Sequence, residues 1–208
     1  GLGYPPCSRS VDFDGKMEQV AVADKQGAVS IRRMADDVEI ARLPATGAET
    51  WVLFSRDGKF LAVYWASGLN LWKLGGEEPV RVEHLDDAYG IDFSADSRQC
   101  AIGRVDSPIR LYDLASGQPP RELPNGRSGR ELAFHPDGRQ LAVSCDASVE
   151  IRALDTGKVV ADLRGPVAPN YLAWRPDGKT LAVVCDDRRI YLWDVAAGKQ
   201  TLVIDGNR

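Results

Sequence analysis

The chain has 208 residues, 44% hydrophobic and 27% charged, a balance that fits a globular domain and excludes disordered and collagen-like classes. No apolar run approaches the roughly 18 residues of a membrane span. A net charge of −4 argues against sequence-independent nucleic-acid binding, whose affinity comes from basic side chains displacing counterions. Residues 1–10 hold no initiator Met and no basic segment followed by an apolar core, so no signal peptide is expected. Cys7, Cys100, Cys145 and Cys185 lack CxxC spacing and a nearby His, so zinc is not expected, and a chain of 208 residues that can bury a core of its own is not expected to carry a disulfide framework. A reducing, cytoplasmic setting is the expectation that follows.

A period of about forty residues runs through the chain. Phe13, Phe54, Phe93, Phe134 and Trp174 are spaced 41, 39, 41 and 40 residues apart. Seven residues after each stands Val20, Leu61, Cys100, Leu141 or Leu181, always followed by Ala. The spacing predicts five copies, over about 9–44, 49–86, 88–124, 129–164 and 169–204, each of four short strands divided by turn signals. In the first copy, Lys16-Met17 stands where later copies carry Asp-Gly. The second strand is apolar almost throughout, as in Leu61-Ala62-Val63-Tyr64-Trp65 and Leu181-Ala182-Val183-Val184, which predicts cover on both faces. The third strand alternates, as in Val149-Glu150-Ile151. The fourth is least regular, and Pro79, Pro119 and Pro120 near it suit an outer edge. In the last copy the strands are expected at 170–174, 180–185, 190–194 and 200–204, with Arg175-Pro176-Asp177-Gly178 turning the first hairpin.

Four-stranded sheets covered on both faces and repeated at this period predict an all-β chain of blades packed face to face around an axis. The residues resemble the WD-repeat (WD40) β-propellers. The likeness rests on Phe54-Ser55-Arg56-Asp57-Gly58, Phe134-His135-Pro136-Asp137-Gly138 and Trp174-Arg175-Pro176-Asp177-Gly178. It rests also on the closing Leu192-Trp193-Asp194 and its counterparts Leu71-Trp72-Lys73 and Leu111-Tyr112-Asp113. The family commonly pairs a Gly-His with an Asp in the turn between strands two and three. Here Asp106, Asp146 and Asp187 stand at or next to that turn, but no Gly-His occurs, so apolar packing is expected to carry more of the stability. The family usually has seven blades, so five imply a piece of a larger propeller, with a five-bladed ring as the alternative. Leu-Ala after the Asp-Gly turn and Ala-Gly-Lys after Trp-Asp resemble bacterial multidomain proteins.

Candidate sites are few. His135 shares its slot with Asp14, Ser55, Ser94 and Arg175, which predicts a solvent-facing turn residue rather than a catalyst. His84 reads as a half-exposed strand residue. No nucleophile motif and no phosphate loop is present. Asp24, Asp106, Asp146, Asp186 and Asp187 read as turn residues that bond nearby N–H groups rather than as metal ligands. Cys145 and Cys185 read as buried thiols in equivalent places of neighbouring blades, too far apart to bridge. Asp12 and Asp92 share the position before the anchor aromatic, though Leu53, Ala133 and Ala173 interrupt any ring of channel-facing acids.

Binding is expected at the start of the first strands, at Trp51, Tyr89, Arg130, Glu131, Asn170 and Tyr171, because aromatic and Arg side chains are what protein hot spots use. Packing of Trp51 and Tyr171 between blades is the alternative for those two. The expected function is a non-catalytic scaffold, without cofactor or metal, that binds a protein, a peptide or a neighbouring domain, and neither nucleic acid nor membrane. The alternatives are an accessory or gating propeller of a multidomain hydrolase, a regulatory propeller fused to a signalling kinase, and ligand sensing in the channel.

Overall fold

The structure is a computed structural model that describes residues 11–66, 68–104, 106–124, 129, 131–165 and 169–206. The chain divides into two compact units, Gly1–Asp87 and Ala88–Arg208. Among the described residues there are strands and turns and no helix.

The first unit holds two four-stranded antiparallel sheets. Sheet one is β1 (Val11–Phe13), β2 (Gln19–Ala23), β3 (Val29–Arg33) and β4 (Glu39–Leu43). Sheet two is β5 (Thr50–Phe54), β6 (Phe60–Trp65), β7 (Gly68–Lys73) and β8 (Val80–Leu85). The second unit holds three more. Sheet three is β9 (Ala88–Phe93), β10 (Gln99–Arg104), β11 (Ser107–Asp113) and the two-residue β12 (Arg121–Glu122). Sheet four is β13 (Leu132–Phe134), β14 (Gln140–Cys145), β15 (Ser148–Ala153) and β16 (Val159–Arg164). Sheet five is β17 (Pro169–Trp174), β18 (Thr180–Cys185), β19 (Arg189–Asp194) and β20 (Lys199–Asp205). In every sheet each strand pairs with its neighbour in sequence, so the fourth strand is always an edge. These are the blades of a β-propeller.

One turn recurs because one pattern of residues makes it. The slot residue after the anchor aromatic accepts a backbone bond from the residue three further on: Met17 N–H to Asp14 (3.0 Å), Gly58 to Ser55 (2.9 Å), Ser97 to Ser94 (2.8 Å), Gly138 to His135 (2.8 Å) and Gly178 to Arg175 (2.9 Å). The donor residue has φ near +60 to +70° each time, at 58° for Met17 and Ser97, 72° for Gly58, 70° for Gly138 and 71° for Gly178. Glycine adopts that region without a Cβ clash, which explains Asp-Gly in three copies. The Asp before it accepts the next-but-one N–H, as Asp57 does from Lys59 and Asp177 from Lys179.

Within each unit the sheets meet through their first strands, β1 against β5, β9 against β13, and β13 against β17. The apolar residues between them form three clusters. Ala21, Ile31 and Leu43 pack with Phe54, Leu61 and Val63 in the first unit. Ile109, Leu111 and Leu123 pack with Phe134 and Leu141, and Ile151 and Leu163 with Leu181 and Trp193, in the second. Cover on both faces holds for the middle of β14, whereas β18 is buried on one face only, since its residues alternate between buried and half-buried.

Candidate interaction surface

The first strands carry the sequence-derived candidates at one end. Trp51 lies on β5 in the first unit, half-buried and stacked on its cross-strand partner Tyr64 with ring centroids 5.9 Å apart and planes 28° apart. Its stacking is therefore within its own sheet. Arg130 lies outside the described residues.

In the second unit, Tyr89 opens β9, Glu131 immediately precedes β13, and Asn170 and Tyr171 open β17. Tyr89 and Tyr171 are 45% and 41% exposed, so these rings present area that burial would remove from water. The Glu131 backbone is fixed by buried Ser144: its N–H donates to Ser144 Oγ (2.8 Å) and its carbonyl accepts the Ser144 N–H (3.0 Å). Asn170 Nδ2 donates to Asp186 in the turn between β18 and β19. Beside it, Asp187 accepts the Tyr191 hydroxyl (2.5 Å) and the Arg189 N–H (3.0 Å), and the Tyr191 bond foremost holds its carboxyl below the ordinary range. Asp187 thus serves its own turn, as does Asp24, which accepts the Gln26 and Ala28 N–H groups, whereas Asp186 ties its turn to β17. No group of three or more potential metal ligands occurs among the described residues.

Two sequence expectations are corrected. His135 is not a solvent-facing turn residue: its side chain is mostly buried, its ring meets Trp174 edge-on at 4.6 Å, and Nε2 lies 3.0 Å from the Gly178 carbonyl oxygen. Because a carbonyl only accepts, Nε2 donates, and the bond ties sheet four to sheet five. His135 thus faces the next blade's turn, a relation between residues about forty apart that no local pattern discloses. Cys145 is half-buried rather than buried, while Cys100 and Cys185 are buried. All three are free thiols, and Cys7 lies outside the described residues.

Asp12 and Asp92 also have a structural role that the sequence did not reveal. The Phe54 N–H donates to Asp12 Oδ2 (2.7 Å), and the Phe134 N–H donates to Asp92 Oδ2 (2.7 Å). Each acid therefore holds the anchor aromatic of the following blade. Where Ala133 replaces the acid, its carbonyl accepts the Trp174 indole N–H instead (3.2 Å). His84 is the half-exposed strand residue expected, with Nδ1 2.8 Å from Asn70 Oδ1 and its ring stacked on Trp65.

Comparison with known proteins places this repeat. Residues 157–194 match the family model of the WD domain, G-beta repeat, a span running from Gly157 before β16 to Asp194 at the end of β19. The chain is 30% identical over 100 residues to eukaryotic translation initiation factor 3 subunit I of Debaryomyces hansenii, covering 47% of this chain and 29% of that protein. It is 28% identical over 134 residues to WD repeat-containing protein SL1-17 of Schistosoma mansoni, covering 60% and 44%. It is 24% identical over 116 residues to small ribosomal subunit protein RACK1 of Caenorhabditis elegans, covering 55% and 36%. The matched segments thus span less than half of each relative, and these relatives are not bacterial. No described helix is long and apolar enough to cross a membrane.

Proposed function

Since the chain is a WD-repeat protein, we propose that it acts as a non-catalytic scaffold that binds a protein or peptide through the first-strand ends of its blades. The observation that carries this reading is the exposure of Tyr89 and Tyr171 at equivalent ends of the first strands of sheets three and five, with Glu131 at the same end of sheet four between them. Two large rings on a rigid framework lose little rotamer freedom on binding and bury much area, which is what hot spots require. Glu131 and Asn170 supply polar groups beside them. The relatives named translation initiation factor subunit and ribosomal subunit protein are components of larger assemblies by their names, which supports an interaction role of this general kind.

The test is affinity capture from an extract of the source cells with the wild-type chain and with Tyr89→Ala/Tyr171→Ala. Loss of a captured protein partner at an unchanged circular-dichroism melt is the expected result. Capture undiminished by the double substitution would remove this surface from the proposal.

A further inference from the structure

The slot residue makes one contact in three copies of the first hairpin turn: its side chain donates a proton to the carboxylate two residues on. Ser55 Oγ donates to Asp57 Oδ1 (2.8 Å), Ser94 Oγ to Asp96 Oδ1 (2.6 Å), and Arg175 Nε to Asp177 Oδ2 (2.9 Å). Sheet four has His135 in that place, with Nδ1 2.8 Å from Asp137 Oδ1. A hydroxyl and a guanidinium always carry a proton to give, whereas an imidazole carries one on both nitrogens only as a cation.

The other ring nitrogen is already committed. Nε2 donates to the Gly178 carbonyl across the joint between sheets four and five, so the single proton of a neutral ring resides there. In that form Nδ1 presents a lone pair. It accepts the Asp137 N–H at 3.2 Å while the carboxylate oxygen at 2.8 Å faces the same lone pair. A second proton removes the conflict. Nδ1 then donates to Asp137 Oδ1, as the serines and the arginine do in the other turns, and the bond from Nε2 to the Gly178 carbonyl becomes charge-assisted, roughly twice as strong as a neutral one. The Asp137 N–H that is displaced belongs to an exposed residue and is open to water.

The acceptor stays charged while the ring changes. Desolvation raises the Asp137 carboxyl, but the Arg139 N–H at 2.8 Å and His135 itself outweigh it and hold the group below the ordinary range. The charged residues of the two turns are Asp137 and Arg139 on one side and Arg175, Asp177 and Lys179 on the other, and Arg175 and Asp177 pair with each other. Trp174, which meets the ring edge-on, brings no charge.

We propose that His135 is a proton-operated clamp, in which uptake of a second proton on Nδ1 tightens the joint between sheets four and five. Ser55, Ser94 and Arg175 do not change protonation near neutrality, so only this copy of the turn responds to mild acid. The clamp lies wholly within the second unit. Its contribution to stability is present on the acid side of the ordinary imidazole range, about pH 6.5, and is lost as pH rises through it. This inference goes beyond the scaffold function and does not depend on it.

Urea unfolding at about pH 8 and about pH 5.5 tests it, with His135→Gln as the reference, because Gln keeps a donor for the Gly178 carbonyl and takes up no proton. Comparison at equal pH cancels the other titrating groups. The wild-type midpoint is expected to exceed that of His135→Gln by more at the lower pH. Asp137→Asn, which leaves an acceptor for the Arg139 N–H, should abolish that pH-dependent excess. A His84→Gln background, which removes the other of the chain's two imidazoles, should leave it intact. Should His135→Gln fail to fold by circular dichroism, Asp137→Asn against wild type is read in the same way. An excess that is the same at both pH values, one that survives Asp137→Asn undiminished, or one that disappears with His84→Gln would each overturn the proposal.

Discussion

Asp12 and Asp92 each hold a buried backbone N–H belonging to a residue 42 positions away, and this single bond is the clearest polar link between blades. Phe134 is buried, so removing its acceptor strands a donor away from water. Asp92→Ala is therefore expected to lower the unfolding free energy by about 1–3 kcal/mol, read from the urea midpoint. Asp92→Asn, which keeps an acceptor oxygen, should recover most of that loss. Equal effects of the two substitutions would mean that charge, and not the bond, matters. Each acid thus ties its blade to the next, a role that the local sequence presents only as one more residue of a strand.

The first hairpin turn shows how an element takes its tolerance from what packs on it. Gly138 and Gly178 have φ of 70° and 71°, so an Ala at either bears the left-handed strain of about 1–2 kcal/mol. Their surroundings differ. A Cβ on Gly138 would meet nothing within 4 Å, whereas one on Gly178 would lie 2.4 Å from His135 Nε2. Gly178→Ala should accordingly lower the thermal midpoint clearly more than Gly138→Ala does, and the gap should shrink in a His135→Ala background. An undiminished gap there would show that His135 is not the obstacle. The turn itself was legible from Asp-Gly at a fixed distance from the anchor aromatic; the seat for His135 was not, because it lies one full repeat away.

At the scale of the whole molecule, burial, complete for Cys100 and Cys185 and partial for Cys145, disfavours the thiolate form. Desolvation pushes Cys145 up to about 11 and Cys185 to about 12, and raises buried Cys100 well above its usual value. All three are protonated at neutral pH in the folded chain, so alkylation at pH 8 should be slow and should follow unfolding by denaturant. The linkage has a definite sign. These groups are raised relative to an unfolded value near 9, so their contribution to stability is intact below pH 9 and is lost as pH rises toward 11 to 12. A urea midpoint that falls between pH 9 and 11, and falls less in Cys185→Ala, is the expected result. Rapid labelling of Cys185 in the folded chain would contradict the burial on which this rests.

The amino-acid sequence by itself determined the period, the four strands of each copy and the turns between them, because these depend on alternation, β-branched side chains and residues that tolerate positive φ within a few positions. In sheet five the expected strands at 180–185 and 190–194 coincide with β18 and β19 to within a residue. Only the tertiary structure decided what each side chain faces. His135 became a link between sheets, Asp12 and Asp92 became clasps on the next aromatic, and one side of β18 is only half-buried although its residues are as apolar as those of β14. An apolar residue states that it prefers cover, and a polar one that it needs a partner. Which surface supplies either is set by residues a whole repeat distant, and only packing brings them within a few ångströms.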